Sequence, residues 1–277
     1  MGSIGGETMR ALIPMAGQGS RFTEKGYTFP KPLIDVNGKP MIQVVLETLP
    51  ECSEYIFLCR TEHIEKYRLA ELLQQLTNGK AKIVPVAQLT EGAACTALLA
   101  KELINDDEPL LIANSDQYVK YDKRNFDILR EQADPDGIIF TFDASHPKWS
   151  FVKTCRNWAV PSWEIDEVAE KKPISSIATC GLYYFKKGSR FVHFAEQMII
   201  SDGEGWPKRV NGEFYIAPVF EQMMRTQTPE CHSIIYAQRN NLPVPPGRWR
   251  YKVLPFFVDR MCGLGTPEDL ELFLREK

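Results

Sequence analysis

The sequence predicts an α/β protein: a wound, mostly parallel sheet with helices on both faces and a small mixed β addition in its second half. Three observations predict it. Short apolar runs at residues 9–15, 55–59, 82–86 and 110–113 alternate with helical segments at the spacing of parallel crossover units. The 277 residues are 44% apolar and 25% charged, enough for a full core in a single domain over residues 9–277. From residue 138 onward the pattern changes to short β-like runs broken by aromatic residues.

Residues 1–8 lack the basic start and apolar stretch of a signal peptide and read as a flexible leader. The first strand, 9–15, runs into a glycine-containing loop. Asn37-Gly38 makes a turn, and Pro40 stands where a first helical residue is expected. Met41, Val44, Val45 and Leu49 then repeat with helical spacing until Pro50 stops the helix. After the strand at 55–59, Thr61 is placed to cap a helix running to about residue 76, with Glu62 and Glu65 near its positive end. Gly92 opens a helix to about residue 103, and the strand at 110–113 ends in Asn114-Ser115-Asp116.

Strands follow at 138–142, 150–154 and 178–185, as an antiparallel addition to the sheet. Trp149, Trp158 and Trp163 interrupt them; shaping an acceptor pocket and filling the core are the two readings, and at least two of the three read as core. Helices are expected over 187–201 and 215–224, a proline-rich loop over 240–247 and the last strand over 253–258. Thr266-Pro267-Glu268-Asp269 has the cap, first-turn proline and acids of a helix start. No internal repeat or low-complexity segment interrupts the chain.

Net charge is −3, which argues against general binding to nucleic acid or anionic membranes; the positive charge that matters is local, around Arg21, Lys25 and Lys31. No run of eighteen apolar residues occurs. The 7 cysteines include no Cys-x-x-Cys pair and read as buried thiols, with a reducing cytoplasm as the expected compartment. Histidines 63, 146, 193 and 232 have neither Ser/His/Asp nor metal-ligand spacing.

The loop after the first strand reads Ala16-Gly17-Gln18-Gly19-Ser20-Arg21-Phe22, followed by Phe29-Pro30-Lys31-Pro32-Leu33. It lies at the strand's C-terminal end, where open α/β sheets bind ligands. Gly17 and Gly19 let backbone N–H groups approach a polyphosphate, and Arg21 offers a planar charged fork. Prolines on both sides of Lys31 restrict where its ammonium can go. A dinucleotide fingerprint is excluded because Phe22 stands where its third glycine belongs, and the spacing of a P-loop is absent.

Gly-x-Gly-x-Arg-Phe followed by Pro-Lys-Pro-Leu resembles the sugar-nucleotide pyrophosphorylase family, whose nucleotidylyltransferases join an NTP to a phosphate monoester and release pyrophosphate. The resemblance implies a nucleotide-binding, Rossmann-like sheet of the GT-A-like kind, with a nucleotide-binding half at 9–145 and an acceptor-binding half at 146–277. It places the NTP on Ala16, Gly17 and Gly19, with Arg21 and Lys31 as catalytic cations and Asp116 holding Mg2+. Gln88 to Ala94 resembles the family's base-recognition loop, which brings in Gln88 and Gly92; an ordinary glycine-started helix is the other reading, and both stay open.

Glu170-Lys171-Lys172-Pro173 resembles the acceptor-binding Glu-Lys-Pro motif with one extra lysine. Glu170 and Lys171 align with its contacts, and Lys172 competes for the second. The closing Gly265-Thr266-Pro267-Glu268-Asp269-Leu270 matches the family, but Gly263 stands where many members carry a second metal-binding aspartate. Asp259, on an extended strand more than ~10 Å away, is a poor substitute.

The resemblance implies a small phosphorylated acceptor, most often a sugar 1-phosphate, and often a homo-oligomer. Other monoesters with CTP, and a non-catalytic nucleotide-sugar-binding protein of the same fold, are the alternatives. A glycosyltransferase is less consistent, since Asn114-Ser115-Asp116 has only the second acid of an Asp-x-Asp motif. A phosphate monoester with a second pKa near ~6 is already largely a dianion at neutral pH, so no general base is required.

Overall fold

The computed structural model describes residues 8–154, 163–201, 209–226, 237, 240, 242–243 and 250–276. Most of the expected leader, Trp158, Cys155, Cys231 and most of the 240–247 loop lie outside the described residues. Strands are β1 (Arg10–Pro14), β2 (Asp35–Val36), β3 (Lys39–Pro40), β4 (Glu54–Arg60), β5 (Ala81–Val86), β6 (Leu110–Ala113) and β7 (Gln117–Lys120). They continue as β8 (Gly137–Asp143), β9 (Ser150–Thr154), β10 (Ile165–Glu170), β11 (Ile177–Phe185), β12 (Val253–Phe257) and β13 (Arg260–Gly263). A nine-stranded sheet runs β10-β9-β11-β6-β1-β4-β5, with β8 joining β11 to β12. From β6 to β5 the pairing is parallel, whereas β11 pairs antiparallel with β6, β8 and β9.

Alternation along β1 explains its continuous apolar run. Leu12 faces a core cluster containing Phe191, Phe194 and Phe220, while Ala11 and Ile13 face another containing Ile42, Leu73 and Phe126. A strand buried on both faces has no polar side to show. Helices Ala93–Leu98, Gly188–Ile200 and Ala217–Arg225 cover one face, and Met41–Thr48, Leu69–Leu76 and Lys123–Ala133 the other. A third cluster joins Phe22, Ile34 and Val36 to Leu264 and Leu270, tying the glycine loop to the C-terminal helix Pro267–Arg275.

Several expectations need correction. The helix expected from residue 61 to 76 is broken at Arg68, whose φ of 50° and ψ of 39° end one helix and begin the next. Arg60, rather than Thr61, occupies the cap position, and Pro40 caps its helix instead of beginning it. The helix after Gly92 ends at Leu98 and a separate turn of helix covers Lys101–Ile104. Residues 253–258 are not the last strand: the chain turns and β13 pairs antiparallel with β7, placing Gly263 opposite Gln117. Of the three tryptophans, Trp163 is 57% exposed and Trp149 is only partly buried, so no two of them belong to the core.

Candidate active site

A cleft opens at the C-terminal ends of β1 and β6. Its first part, about 510 Å³, is lined by the glycine loop, Arg21, Lys31 and Asp116. The second, about 500 Å³, shares Arg21, Lys31 and Asp116 and continues to Glu170 and Lys171. Nine of the ten residues singled out in the sequence line the cleft: Ala16, Gly17, Gly19, Arg21, Lys31, Gly92 and Asp116 line the first part, and Glu170 and Lys171 join at the second. Gln88 is exposed and lines neither; its neighbours Leu89 and Thr90 do.

Local chain geometry sets the first wall. Gly19 takes a left-handed conformation, with φ 63°, that turns the backbone from β1 into the helix Ser20–Glu24. A Cβ there would stand 3.3 Å from Lys31 Cβ, so the loop lies directly on the Pro-Lys-Pro segment. Lys31 opens a 3-10 turn over Lys31–Leu33, and its Nζ pairs with the Asp116 carboxylate. Gly265 leaves room for that carboxylate: a Cβ at 265 would lie 2.8 Å from Asp116 Oδ2. Leu264 N donates to the Asp116 carbonyl at 2.8 Å, fixing the segment that carries Gly265.

Gly92 combines a φ of 116° with the closest backbone approach in this wall. A Cβ there would stand 2.5 Å from the Phe214 carbonyl oxygen. Phe214 N donates to the Glu91 carbonyl at 2.7 Å, and Ala94 N donates back to Phe214 at 3.0 Å. Gly92 is therefore a clasp that brings residues 213–215 over the cleft, whatever else it contacts.

The second wall is antiparallel and more polar. Ser150 Oγ donates to the Glu170 carboxylate, and burial pushes the Glu170 carboxyl up to about 7, with the Ser150 bond and Lys171 opposing the shift. Lys171, held at φ 54°, donates from Nζ to Tyr215 Oη, which in turn donates to Glu213. Burial and the neighbouring Glu213 raise the Tyr215 hydroxyl, keeping it a donor. Lys148 Nζ lies 4.7 Å from the Trp149 ring centroid and 2.8 Å from Asp269 Oδ1.

The model of the Nucleotidyl transferase family matches residues 10–199. The chain belongs to that family. The chain is 25% identical over 190 residues to the bifunctional protein GlmU of Methanocaldococcus jannaschii, covering 65% of this chain and 40% of that protein. It is 30% identical over 186 residues to a mannose-1-phosphate guanyltransferase of Neurospora crassa, covering 64% of this chain and 49% of the relative. The matched region thus spans less than half the length of either curated relative. The fold is shared with a nucleoside-diphosphate-sugar pyrophosphorylase from Vibrio cholerae RC9, with TM-score 0.69, 22% identity and coverage of 96% and 100%. UDP-glucose pyrophosphorylase complexed with UDP-glucose gives TM-score 0.66 at 19% identity, covering 96% of this chain and 97% of that one.

For the Mg2+ implied by the resemblance, the donor set is narrow. No cluster of three or more His, Cys, Asp or Glu side chains suited to a metal occurs among the described residues. Asp116 is a carboxylate that lines both parts of the cleft, and Mg2+ characteristically takes one or two carboxylates with phosphate and water oxygens, so the residues fit. Asp259 does not line the cleft. The sequence reading missed Asp269, whose Oδ2 lies 3.4 Å from where a Cβ at Gly263 would be. It also missed Tyr215 and Gly265, whereas Trp149, set between acceptor pocket and core, lines the second part of the cleft. The helix cap at Asp269, whose N–H donates to Thr266 Oγ1 at 3.1 Å, was legible; its carboxylate reaching the cleft was not.

Proposed function

We propose that this nucleotidyl transferase couples an NTP to a phosphate monoester, with a sugar 1-phosphate as the first choice, and releases pyrophosphate in an Mg2+-dependent reaction. The observation that carries the reading is the convergence of the Gly17/Gly19 loop, Arg21, Lys31 and Asp116 on one cleft. The names of the relatives support a sugar phosphate as acceptor. In this reading the NTP phosphates lie along the glycine loop, with Arg21 and Lys31 neutralising charge on the α-phosphoryl group and the departing pyrophosphate. Asp116 would hold the Mg2+, which supplies further charge neutralisation when bound.

Lys171 orients the acceptor phosphate across the cleft. An oxygen of that phosphate forms a bond to the α-phosphorus as the α–β bridging P–O bond breaks, and the electron pair leaves with pyrophosphate. The dianionic nucleophile needs no base, so positioning and charge carry the rate.

The test is pyrophosphate release from ATP, CTP, GTP, UTP and dTTP with a panel of phosphate monoesters and Mg2+. At least one pair is expected to turn over. Nucleotide binding without release from any pair would overturn catalysis and leave a non-catalytic nucleotide-sugar-binding protein, the reading that Gly263 favours.

A further inference from the structure

Lys171 and Tyr215 meet where the two parts of the cleft join, and Tyr215 lines both, as Arg21, Lys31 and Asp116 do. Backbone contacts fix each side of the meeting. Lys171 N donates to the Trp149 carbonyl at 3.1 Å and the residue is held at φ 54°, a conformation rare outside glycine. Tyr215 follows Phe214, whose backbone is bonded to Glu91 and Ala94 and whose fully buried ring lies 4.6 Å from the Arg209 guanidinium. Lys172 is exposed and lines neither part, so the ammonium at the junction is that of Lys171.

A neutral hydroxyl stands between opposite charges here. Lys171 Nζ donates to Tyr215 Oη and lies 4.3 Å from the ring centroid, while Oη gives its single proton to the Glu213 carboxylate. With that proton committed, only oxygen lone pairs face the ammonium. Without the oxygen, ammonium and carboxylate are free to close on each other. Glu213 has no cation partner among the described residues, whereas Glu170, the other carboxylate beside Lys171, is already bound by Ser150 Oγ. A lysine paired with a carboxylate has its charge offset and must break that pair to take a phosphate. One held by a hydroxyl keeps its charge and gives up only a neutral acceptor.

We propose that Tyr215 is a positioning residue, a spacer that keeps Lys171 directed at the junction and unpaired with Glu213, so that its full charge meets the acceptor phosphate. The inference rests on the nucleotidylyl-transfer reading, with Lys171 as the acceptor's cation, and adds the residue that keeps this cation available. The test compares wild type with Tyr215→Phe, which keeps the ring beside the ammonium and removes only the oxygen. A double variant, Tyr215→Phe with Glu213→Gln, also removes the competing charge. Glucose 1-phosphate, mannose 1-phosphate and choline phosphate serve as acceptors with the five NTPs, and the pair that wild type turns over best is followed. Tyr215→Phe should lower kcat/KM for the acceptor at least threefold and up to about tenfold, mainly through KM, and leave the KM for NTP unchanged, the size expected of one partly exposed ion pair. The double variant should return it to within about twofold of wild type. A crystal structure of Tyr215→Phe should show Lys171 Nζ on the Glu213 carboxylate.

An acceptor loss smaller than about threefold in Tyr215→Phe would overturn the proposal. So would a loss that the double variant does not recover, Nζ standing clear of Glu213 in the crystal, or a lower melting temperature with equal losses for NTP and acceptor, the mark of a structural residue. If wild type releases no pyrophosphate with any pair, the parent reading fails separately. The spacer is then judged by calorimetric titration with glucose 1-phosphate. Binding to wild type that weakens in Tyr215→Phe and returns in the double variant supports it; no binding, or binding unchanged by the variants, overturns it.

Discussion

The two walls of the cleft are built differently. The phosphate wall hangs from the ends of parallel strands and places its charge on Arg21 and on the Lys31–Asp116 pair. The acceptor wall comes from antiparallel strands, and its charged groups are each engaged by a neighbour: Glu170 by Ser150, Lys171 by Tyr215, and Lys148 and Asp269 by each other. One wall is therefore suited to a ligand of constant charge. The other answers to pH and to the hydrogen-bonding sense of what enters it. Substitutions in the first should fall on kcat for every substrate pair; those in the second should fall on the acceptor's KM.

The largest effect is expected from the ion pair. Lys31→Ala or Asp116→Ala should each lower kcat by about a hundred- to a thousandfold, the ~2.7–4 kcal/mol lost when one preorganised charge contact is removed. Because the two groups touch, the double variant should lose less than the product of the single losses. Steady-state kinetics on all three proteins decides it, and near wild-type turnover in either single variant would remove these groups from the reaction. Gly92→Ala should next cost about 2–4 kcal/mol of stability, since its Cβ would stand 2.5 Å from a backbone carbonyl at a φ that disfavours side chains. Gly17→Ala is the contrast. Nothing lies within 4 Å of a Cβ there, so the denaturation midpoint should barely move.

This contrast also explains what was legible in the sequence. The phosphate wall could be read because its loop, arginine and lysine fall within one stretch after an apolar strand, and Asp116 follows another such strand. The acceptor wall depends on β7 and β13, two four-residue strands of mixed polarity, Gln117–Lys120 and Arg260–Gly263, far apart in the chain. Neither alternates cleanly, so nothing local announces that they pair. Gln117, Trp149 and Asp269 meet through that pairing; Gln117 and Asp269 were missed as site residues, and Trp149 was left between pocket and core. The helix Lys123–Ala133 was missed for another reason: it carries one buried residue, Phe126, and its signal was the capping Asp122, whose side chain accepts from Arg124 N.

A smaller effect separates the walls by pH. The Glu170 carboxyl rises from 4.5 to about 7 in the folded protein, so the folded state binds the extra proton between those values. Stability from this group is present at low pH and is lost as pH rises through about 7. Glu170→Gln should therefore raise the melting temperature at pH 8, by at most about 3 kcal/mol of stability, and have no such effect near pH 4. Melting scans across that range check the sign, and an equal effect at both ends would contradict it. In wild type the acceptor's KM should change near pH 7 while the KM for NTP does not follow it through this group.

The smallest effect comes from position 263, where the resemblance leads one to expect an aspartate. Simply restoring it should not improve the protein. A Cβ there would lie 3.2 Å from Trp149 Cη2 and 3.4 Å from Asp269 Oδ2, so Gly263→Asp sets a second carboxylate against Asp269 and crowds the indole. The expected result is a twofold to about tenfold rise in the acceptor's KM, in keeping with like charges at a partly exposed site. Asp269→Asn in the same chain should recover the electrostatic part, and Trp149→Phe the steric part. If Gly263→Asp alone instead increased kcat/KM at every Mg2+ concentration, Trp149 and Asp269 would not have replaced the missing side chain, and the acceptor wall would be a degraded form of the usual site instead of a different one.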